Sequence, residues 1–421
     1  MGLKVAVVGG GSTYTPELVE GIARRADVLP VDELVLLDPA AERLAIVAGL
    51  ARRMLARAGS SVRVTETADP VAAVDGAAFV LVQLRVGGQA ARMLDETLPL
   101  RFDCVGQETT GPGGFAKALR TVPIVLELAE LVGRQAAPDA WLVDFTNPVG
   151  IVTQALLDQG HRAIGLCNVA INFQRGLARR LGVAPERVFL DHVGLNHLTW
   201  IRAVIVDGVD HLPRLLEEGL EDIQDELPIE LMRTLGAIPS YYLRYYYASR
   251  AVIEEERHRP SRAEDVMAIE GRLLDLYRDP SLDTSPELLR ERGGAYYSEA
   301  AAQLITSLHA GTGDIQVVDV RNDGAIPGLP DDAVVELPAR IDRSGATPIP
   351  TAPLAPEMRA LVQHAKAYEQ LTIQAAMTGD RQVALRALMT NPLVPDVPTA
   401  EGLLAAILDE GRQHLPRFWP G

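Results

Sequence analysis

The chain has 421 residues, of which 48% are hydrophobic and 23% charged, proportions typical of a globular protein large enough for two domains. Its formal net charge of −16 argues against a nucleic-acid partner, because nucleic-acid-binding proteins present a basic face. Only two cysteines occur, Cys104 and Cys167, which excludes a disulfide scaffold and is typical of a reducing compartment. The N-terminal apolar run is strand-like, and no segment approaches the ~18 apolar residues of a membrane span. We therefore expect a cytoplasmic protein without a membrane partner.

The N-terminal segment has the pattern of a strand, a glycine turn and a helix. An apolar run at 4–8 leads into glycines that include Gly9 and Gly11, then Ser12. Glycines let a backbone approach a pyrophosphate closely, and the N-terminus of the following helix favours its charge. The third glycine of the G-x-G-x-x-G fingerprint would fall on Tyr14, so the turn alone leaves a dinucleotide site and an ordinary turn both open.

Strand-like runs alternate with helical patterns, such as the regularly spaced apolar residues of 41–57, up to about residue 195. This alternation predicts a Rossmann-like, doubly wound α/β fold with a parallel sheet. Asp38 closes the second run, slightly beyond the ~20-residue offset of the acidic residue that binds ribose hydroxyls. Its alternative role is a turn that ends the strand. Beyond residue 195 the pattern changes to a strand at 198–206, long helical stretches, a β-rich segment and final helices. We expect a second, mainly helical α+β domain at 196–421 after a nucleotide-binding domain at 1–195. The helical stretches lie at 212–236, 239–257, 262–277, 286–308, 355–378 and 381–390, and the β-rich segment at 314–337.

Polar or glycine-rich residues follow each of the predicted parallel strands. These strand ends are at 9–12, Asp38, 83–88, 146–148 and 167–168. Ligands of open α/β sheets bind beyond the carboxyl ends of the strands, so these segments are expected to converge on one site.

The polar segment 107–114, Gln-Glu-Thr-Thr-Gly-Pro-Gly-Gly, is too rich in glycine for a core element. It is typical of a loop that delivers backbone N–H groups and the Glu108 carboxylate to a ligand, the alternative being a plain connection. Arg92, shortly before it, could clamp a phosphate with its planar fork or could be a solvated surface residue.

Cys167 and His197 provide a soft thiolate and an imidazole, which together suit Zn, Mn, Fe or Co. Cysteine and histidine residues this far apart are more often unrelated, and Asp191 and His192 are rival ligands. Five of the ten tyrosines lie between 241 and 247, a pattern typical of core or interface. A tyrosine beside a cation can also act as a base, because positive charge lowers its pKa.

Taken together, these segments resemble glycoside hydrolase family 4, and most closely its 6-phospho-β-glucosidases. The segments that carry the resemblance span nearly the whole chain: 8–19, 83–88, 106–114, 146–148, 165–168, 194–198, 242–246 and 314–318. The resemblance implies hydrolysis of 6-phospho-β-glucosides such as cellobiose 6-phosphate, with NAD and Mn²⁺ or another divalent metal as cofactors. This family is an exception to the two-carboxylate glycosidase mechanism.

The implied reaction oxidises C3 of the sugar with NAD⁺, removes the C2 proton with a tyrosine, and eliminates the aglycone. Water then adds and the hydride returns. When the roles of the family's residues are transferred to the matching positions of this sequence, the metal ligands are Cys167 and His197. The base is Tyr242, with Tyr241 as the alternative. The remaining assignments place Gly9, Gly11, Ser12 and Asp38 on the cofactor, Asn147 and Asn168 on the sugar, and Arg92 and Arg262 on the 6-phosphate. Glu108 is a candidate for the general acid, and the resemblance implies a homodimer or homotetramer.

Three alternatives stay open on the sequence. One is a relative that acts on 6-phospho-α-glucosides or on unphosphorylated galactosides or glucuronides. Another is a 2-hydroxy-acid dehydrogenase, which shares the N-terminal architecture but would produce NADH and need no Cys167–His197 metal. The third is a dinucleotide-binding protein without catalysis, against which the intact cysteine, histidine and tyrosine set argues.

Overall fold

The structure is a computed structural model that describes residues 2–293 and 296–419. Long helices alternate with short strands in the first half, and helices dominate the second half. The helices are α1 (Thr15–Ala23), α2 (Ala41–Arg57), α3 (Pro70–Val74), α4 (Gly88–Thr97), α5 (Gly111–Gln135), α6 (Val149–Asp158), α7 (Val169–Leu181), α8 (Leu212–Glu218), α9 (Ile229–Leu235), α10 (Arg244–Tyr247), α11 (Ser249–Arg257), α12 (Arg262–Tyr277), α13 (Tyr297–Ala310), α14 (Pro356–Thr378), α15 (Arg381–Thr390) and α16 (Val397–Glu410). Among the described residues, no helix combines the length and apolarity needed to cross a membrane.

The strands join into one mixed sheet. They are β1 (Leu3–Val8), β2 (Val31–Leu37), β3 (Arg63–Thr67), β4 (Phe79–Val82), β5 (Trp141–Asp144), β6 (Ala163–Gly165), β7 (Val188–Leu195), β8 (Leu198–Val206), β9 (Val209–Asp210), β10 (Ile238–Pro239), β11 (Asp314–Arg321), β12 (Val334–Asp342) and β13 (Gly345–Pro348). The first six are parallel in the order β3-β2-β1-β4-β5-β6, the strand order of dinucleotide-binding folds. The predicted Rossmann-like fold is confirmed.

Antiparallel strands extend this sheet beyond β6, in the order β11-β12-β7-β8-β10. The connection between the parallel and antiparallel parts is a close pairing of Gly165 on β6 with Asp319 on β11. The predicted second region of helices and antiparallel strands is therefore present, and its strands share a sheet with the first region. The boundary drawn at residue 195 falls at the turn of the β7–β8 hairpin and stays a prediction.

Alternating side chains of the central strands pack on opposite faces of the sheet. On β1, Val5 and Val7 belong to one buried cluster, while Ala6 and Val8 belong to the other. Both faces are covered by helices, which is why these strands are continuous apolar runs. The carboxyl ends of β1, β2, β4, β5 and β6 are thereby left as the edge where polar residues can meet.

Three of the long helical stretches expected from the sequence are wrong in extent. The stretch at 239–257 divides into a 3₁₀ segment, Tyr241–Leu243, and the helices α10 and α11. The stretch at 212–236 divides into α8 and α9, because Gly219 takes a positive φ of 96° and Pro228 precedes the second helix. The stretch at 286–308 becomes a short 3₁₀ segment, Glu287–Arg292, and α13. In contrast, α2, α12, α15, β8 and β11 lie where the sequence patterns placed them.

Gly165 allows the two parts of the sheet to approach, and its replacement by alanine is expected to destabilise the fold. An added Cβ would overlap the Thr153 hydroxyl and lie 2.7 Å from Cβ of Asp319. Overpacking of a buried site costs about 1–3 kcal/mol, so Gly165→Ala should lower the melting temperature in calorimetry. Gly133→Ala is the control: a Cβ there meets nothing within 4 Å, and alanine favours the helix by roughly 0.5–1 kcal/mol. Equal melting temperatures for the two variants would contradict the account.

Candidate active site

A cleft of about 620 Å³ opens at the carboxyl ends of the parallel strands. Each of the five strand ends that the sequence analysis singled out contributes to its wall. These residues are Gly9 and Ser12 after β1, Asp38 after β2, Gln83, Leu84, Arg85 and Gly88 after β4, Phe145, Thr146 and Asn147 after β5, and Asn168 after β6. The opposite wall comes from the second half of the chain and includes Tyr241, Tyr242, Arg244, Tyr245, Arg262, Glu270, Arg292 and Tyr297.

The glycine turn and Asp38 form the end of the cleft suited to a nucleotide. The Gly11 amide donates to Oδ2 of Asp38 over 3.1 Å, and the Ala40 amide donates to Oδ1 over 2.9 Å. A side chain at position 11 would crowd Asp38, because its Cβ atom would lie 2.8 Å from that Oδ2 atom. Gly9 has a φ of +88°, and a Cβ atom there would lie 2.8 Å from the Gln83 carbonyl oxygen, so this position also favours glycine.

Tyr14 takes the place of the third fingerprint glycine and lies in the cleft wall. The Arg292 guanidinium stacks on its ring at 4.0 Å from the centroid. Ser12 is held within the turn, donating its amide to the Gly9 carbonyl over 3.0 Å. The turn is thus closed by an aromatic side chain in contact with a cation, a feature that the glycine pattern does not reveal.

Cys167 and His197 both lie near Tyr242, although 30 residues separate them in the chain. His197 lies at the β7–β8 turn with φ of +63°, and its ring stacks on Tyr242 with 3.7 Å between centroids and 10° between planes. Burial raises the pKa of Tyr242, and the negative charge that a Cys167 thiolate would carry would raise it further. Cys167 follows β6, is buried, and has its Sγ atom 3.7 Å from the Tyr297 hydroxyl.

This pair has the properties of incomplete metal coordination. Nε2 of His197 is buried and has no hydrogen-bond partner among the described residues, and burial lowers the pKa of His197 to about 4, leaving the imidazole neutral. Burial also raises the pKa of the Cys167 thiol, so a cation is needed to stabilise its thiolate. No cluster of three or more His, Cys, Asp and Glu ligands occurs in the described part of the chain. A metal held by these two residues would therefore keep positions open to other ligands.

The rival ligands have other partners. Nε2 of His192 lies 2.8 Å from Oε1 of Glu336, both of them buried, and Asp191 forms an ion pair with Arg202 at 3.0 Å. The structure thus places Cys167 and His197 near the same tyrosine, whereas His192 and Asp191 are engaged by Glu336 and Arg202.

The two tyrosines considered as bases are distinguished by their neighbours. Both line the cleft, with ring centroids 4.9 Å apart, but Tyr241 packs on Phe173 whereas Tyr242 stacks on His197. Burial raises the pKa of both hydroxyls, so neither ionises near neutral pH without a nearby positive charge. Because Tyr242 is the tyrosine that stacks on His197, a metal bound to His197 would supply positive charge near Tyr242.

Arg92 and Arg262 are both in the cleft wall but differ in burial. The Arg92 side chain is 11% exposed, and its Nε atom lies 2.7 Å from Glu96 and 3.1 Å from Glu108. The Arg262 side chain is 44% exposed and donates to the backbone carbonyls of Glu291 and Arg292 over 3.2 and 2.8 Å. Arg262 is therefore the more accessible cation, and Arg92 the more rigidly held.

The sugar-binding candidates belong to the same cleft as these arginines. Asn147 and Asn168 both line the cleft, and Oδ1 of Asn147 is buried without a partner among the described residues. A buried carbonyl oxygen of this kind is costly unless a ligand donates to it.

Glu108 is buried at the centre of three cations. It forms ion pairs with Arg85, with Lys117 at 2.5 Å, and with Arg92 at 3.1 Å. Although burial opposes ionisation, these cations hold the pKa of Glu108 well below its ordinary value. A permanently ionised carboxylate has no proton to donate, so the structure argues against Glu108 as the general acid.

Several residues of the cleft were missed by the sequence reasoning. Arg85 and Lys117 carried a usable signal, because both lie within or beside the quoted motifs at 83–88 and 106–114. Arg43, Glu270 and Arg292 carried none, since their ion-pair network joins α2, α12 and the end of a 3₁₀ segment, far apart in sequence.

The buried ammonium of Lys117 gives a pH-dependent prediction. Burial, assisted by repulsion from Arg85, lowers the pKa of Lys117 from 10.5 to about 7. Between these two values the unfolded chain binds more protons than the folded protein, so the free energy of unfolding should rise with pH. Urea unfolding of wild type and Lys117→Met should show the wild type gaining stability relative to the variant from pH 7 to roughly pH 9.5. Lys117→Arg, which keeps its charge at every pH, should lack the rise, and a pH-independent difference would refute the assignment.

Family models match almost the whole chain. Residues 4–183 match the model described as "Family 4 glycosyl hydrolase", and residues 192–394 match its C-terminal domain. The two matches are separated by residues 184–191, which include the first half of β7.

Individual relatives are similar over their full lengths. A "Probable 6-phospho-beta-glucosidase" of Bacillus subtilis is 41% identical over 436 residues, covering 99% of this chain and 98% of the relative. The 6-phospho-beta glucosidase from Thermotoga maritima, solved with manganese, NAD⁺ and glucose-6-phosphate, has a TM-score of 0.92 and 36% identity, covering 98% of this chain and 99% of that one. A phospho-alpha-glucosidase of Clostridium acetobutylicum is 28% identical, covering 97% and 98% of the two chains. This chain belongs to glycoside hydrolase family 4.

Proposed function

We propose that the protein is a 6-phospho-β-glucosidase that uses NAD⁺ and a divalent metal to cleave small phosphorylated disaccharides or aryl glucosides. The observation that carries the proposal is the stack of Tyr242 on His197, with Cys167 beside it, in the cleft that also holds the glycine turn. A two-carboxylate glycosidase would need neither a nucleotide turn nor a buried thiol and imidazole. The 41% identity to the Bacillus subtilis relative, against 28% to the phospho-alpha-glucosidase, favours the β-anomer.

In this proposal Gly9, Gly11, Ser12 and Asp38 hold the dinucleotide. The glycines bring the backbone to the pyrophosphate, and the Asp38 carboxylate, oriented by the Gly11 and Ala40 amides, accepts from the ribose hydroxyls. Bound NAD⁺ supplies a hydride acceptor, which makes oxidation of a sugar carbon reversible within one turnover.

Cys167 and His197 hold the metal, manganese in the first instance. His197 offers its buried, unpaired Nε2 lone pair, and Cys167 offers a thiolate that the cation stabilises. A bound divalent ion supplies a Lewis acid that holds the sugar oxygens and stabilises negative charge developing on them.

Tyr242 removes the C2 proton of the sugar. Its hydroxyl lies in the cleft wall, and its ring is held against His197 at 3.7 Å, so it cannot swing away from the metal ligands. Positive charge beside the hydroxyl counteracts the burial that otherwise raises the pKa of Tyr242. Asn147 orients the sugar through its unpaired Oδ1, and Asn168 lies in the same wall.

Arg92 and Arg262 bind the 6-phosphate. Arg92 is oriented by Glu96 and Glu108, which limits the side-chain entropy lost when a phosphate is bound. The exposed Arg262 can turn toward the phosphate at the cost of its two backbone carbonyl bonds. We further propose a nucleotide-binding part at 1–195, a part at 196–421 that completes the metal and phosphate sites, a cytoplasmic location and a homodimer or homotetramer.

The reaction itself gives the most direct experiment. Hydrolysis of p-nitrophenyl β-glucoside 6-phosphate with Mn²⁺, NAD⁺ and a reductant in D₂O should place deuterium at C2 of the released glucose 6-phosphate, because the C2 proton is removed and replaced from solvent. The product is analysed by NMR. The α-anomer and the unphosphorylated β-glucoside are the controls for anomer and phosphate recognition.

Full turnover without deuterium at C2 would refute the redox–elimination reaction. Cleavage of the α-anomer in preference to the β-anomer would move the protein to the phospho-α-glucosidases. Net formation of NADH from a hydroxy acid, without glycoside cleavage, would support the dehydrogenase alternative.

The base is tested by two matched tyrosine variants. Tyr242→Phe should lower kcat by about 10²–10⁴-fold, because the general base is lost, while Mn²⁺ and NAD⁺ still bind. Tyr241→Phe removes the neighbouring hydroxyl and should keep most of the activity. Binding is followed by calorimetric titration of each variant. The reverse pattern, with Tyr241→Phe inactive and Tyr242→Phe active, would assign the base to Tyr241.

A further inference from the structure

The segment Gln107–Thr110 makes a hydrogen-bond chain that ends on His197. Its first member is the Gln107 side chain, whose Oε1 atom accepts from the Thr109 amide and, over 3.1 Å, from the Thr110 amide. Two backbone N–H donors converge on this atom, so it is the carbonyl oxygen of the Gln107 amide and can only accept hydrogen bonds.

The second member is the Thr109 hydroxyl. Its Oγ1 atom lies 2.7 Å from the Gln107 oxygen and 2.9 Å from Nδ1 of His197. Because Gln107 Oε1 has no proton, the hydroxyl donates its single proton there. The hydroxyl oxygen is left as an acceptor toward the imidazole, and Nδ1 of His197 therefore carries the ring proton.

This assignment determines what the other ring nitrogen can do. Burial favours the neutral imidazole, which has one protonated nitrogen, so a proton on Nδ1 leaves the lone pair on Nε2. That is the buried atom of His197 that lacks a partner among the described residues. The opposite tautomer would place a proton where a metal must bind.

We propose that Gln107 and Thr109 are positioning residues, which hold His197 in the tautomer able to bind the metal. The inference rests on the proposed function in treating His197 as a metal ligand. Hydrogen bonds to the second nitrogen of a metal-binding histidine fix its tautomer and ring orientation. Here the hydrogen-bond chain keeps the proton on Nδ1 of His197, and the stacked ring of Tyr242 fixes the plane of the imidazole.

The first test removes only the hydroxyl. In Thr109→Val, Mn²⁺ titration of the NAD⁺-loaded protein followed by electron paramagnetic resonance should show a 10–100-fold higher Kd, the loss typical of such partners. Thr109→Ser restores the hydroxyl and should restore the affinity. Thr121→Val is the matched control, since the buried Thr121 hydroxyl has no partner among the described residues. An unchanged Kd in Thr109→Val would overturn the proposal.

The second test observes the tautomer directly and needs no metal. In the metal-free full-length protein labelled with ¹⁵N-histidine, the His197 signals, assigned by their loss in His197→Gln, should show a protonated Nδ1 and an unprotonated Nε2. A protonated Nε2 in the wild type would overturn the proposal, even if Thr109→Val failed to fold. The metal site itself is checked separately: if His197→Gln binds Mn²⁺ as tightly as wild type, the proposed metal ligation fails, while the tautomer assignment is still decided by the spectrum.

Discussion

The buried carboxylate of Glu108 is the interaction on which the rest of the site depends. It forms ion pairs with Arg85, Arg92 and Lys117, cations that come from the segment after β4, from α4 and from α5. Burying a charge without a partner is costly, and here one anion compensates part of the charge of three cations. Arg85 and Arg92 line the cleft proposed to bind a phosphorylated sugar. The chain as a whole is strongly acidic, so such local arginines are what an anionic substrate would require.

Glu108 also lies between two groups with different proposed roles. Its neighbour Thr109 contacts His197 and is itself hydrogen-bonded to Gln107, while Glu108 forms an ion pair with Arg92. In the proposed function, adjacent residues of one short segment would therefore position groups for the metal and for the phosphate. Movement of this segment would disturb the contacts of His197 and of Arg92 at the same time. The hydrogen bonds and ion pairs of residues 107–110 restrict such movement.

Much of the architecture could be predicted from local pattern. The polar strand ends predicted the wall of the cleft, because parallel strands place their carboxyl ends at one edge of a sheet. Helices such as α2 and α12 could be predicted from the regular spacing of their apolar residues. The shared proximity of Cys167 and His197 to Tyr242 could not be predicted from their spacing in the sequence. It depends on β7 lying in the same sheet as β6, with β12 and β11 between them. The stack of Tyr242 on His197, and the separation of its role from that of Tyr241, likewise require the fold. The family resemblance supplied these roles where local physics could not.

The shared sheet has a consequence for the way this protein can be divided. Strands on the two sides of the boundary at residue 195 pair with one another: β6 with β11, and β7 with β8 and β12. A fragment ending at residue 195 would keep β6 and β7 but lose the strands between and beside them. Both would then present unpaired backbone N–H and C=O groups along apolar edges, the configuration that invites edge-to-edge aggregation. A polypeptide that ends at residue 195 is thus not expected to fold by itself, and gene truncation or domain exchange at this position is expected to yield insoluble chains.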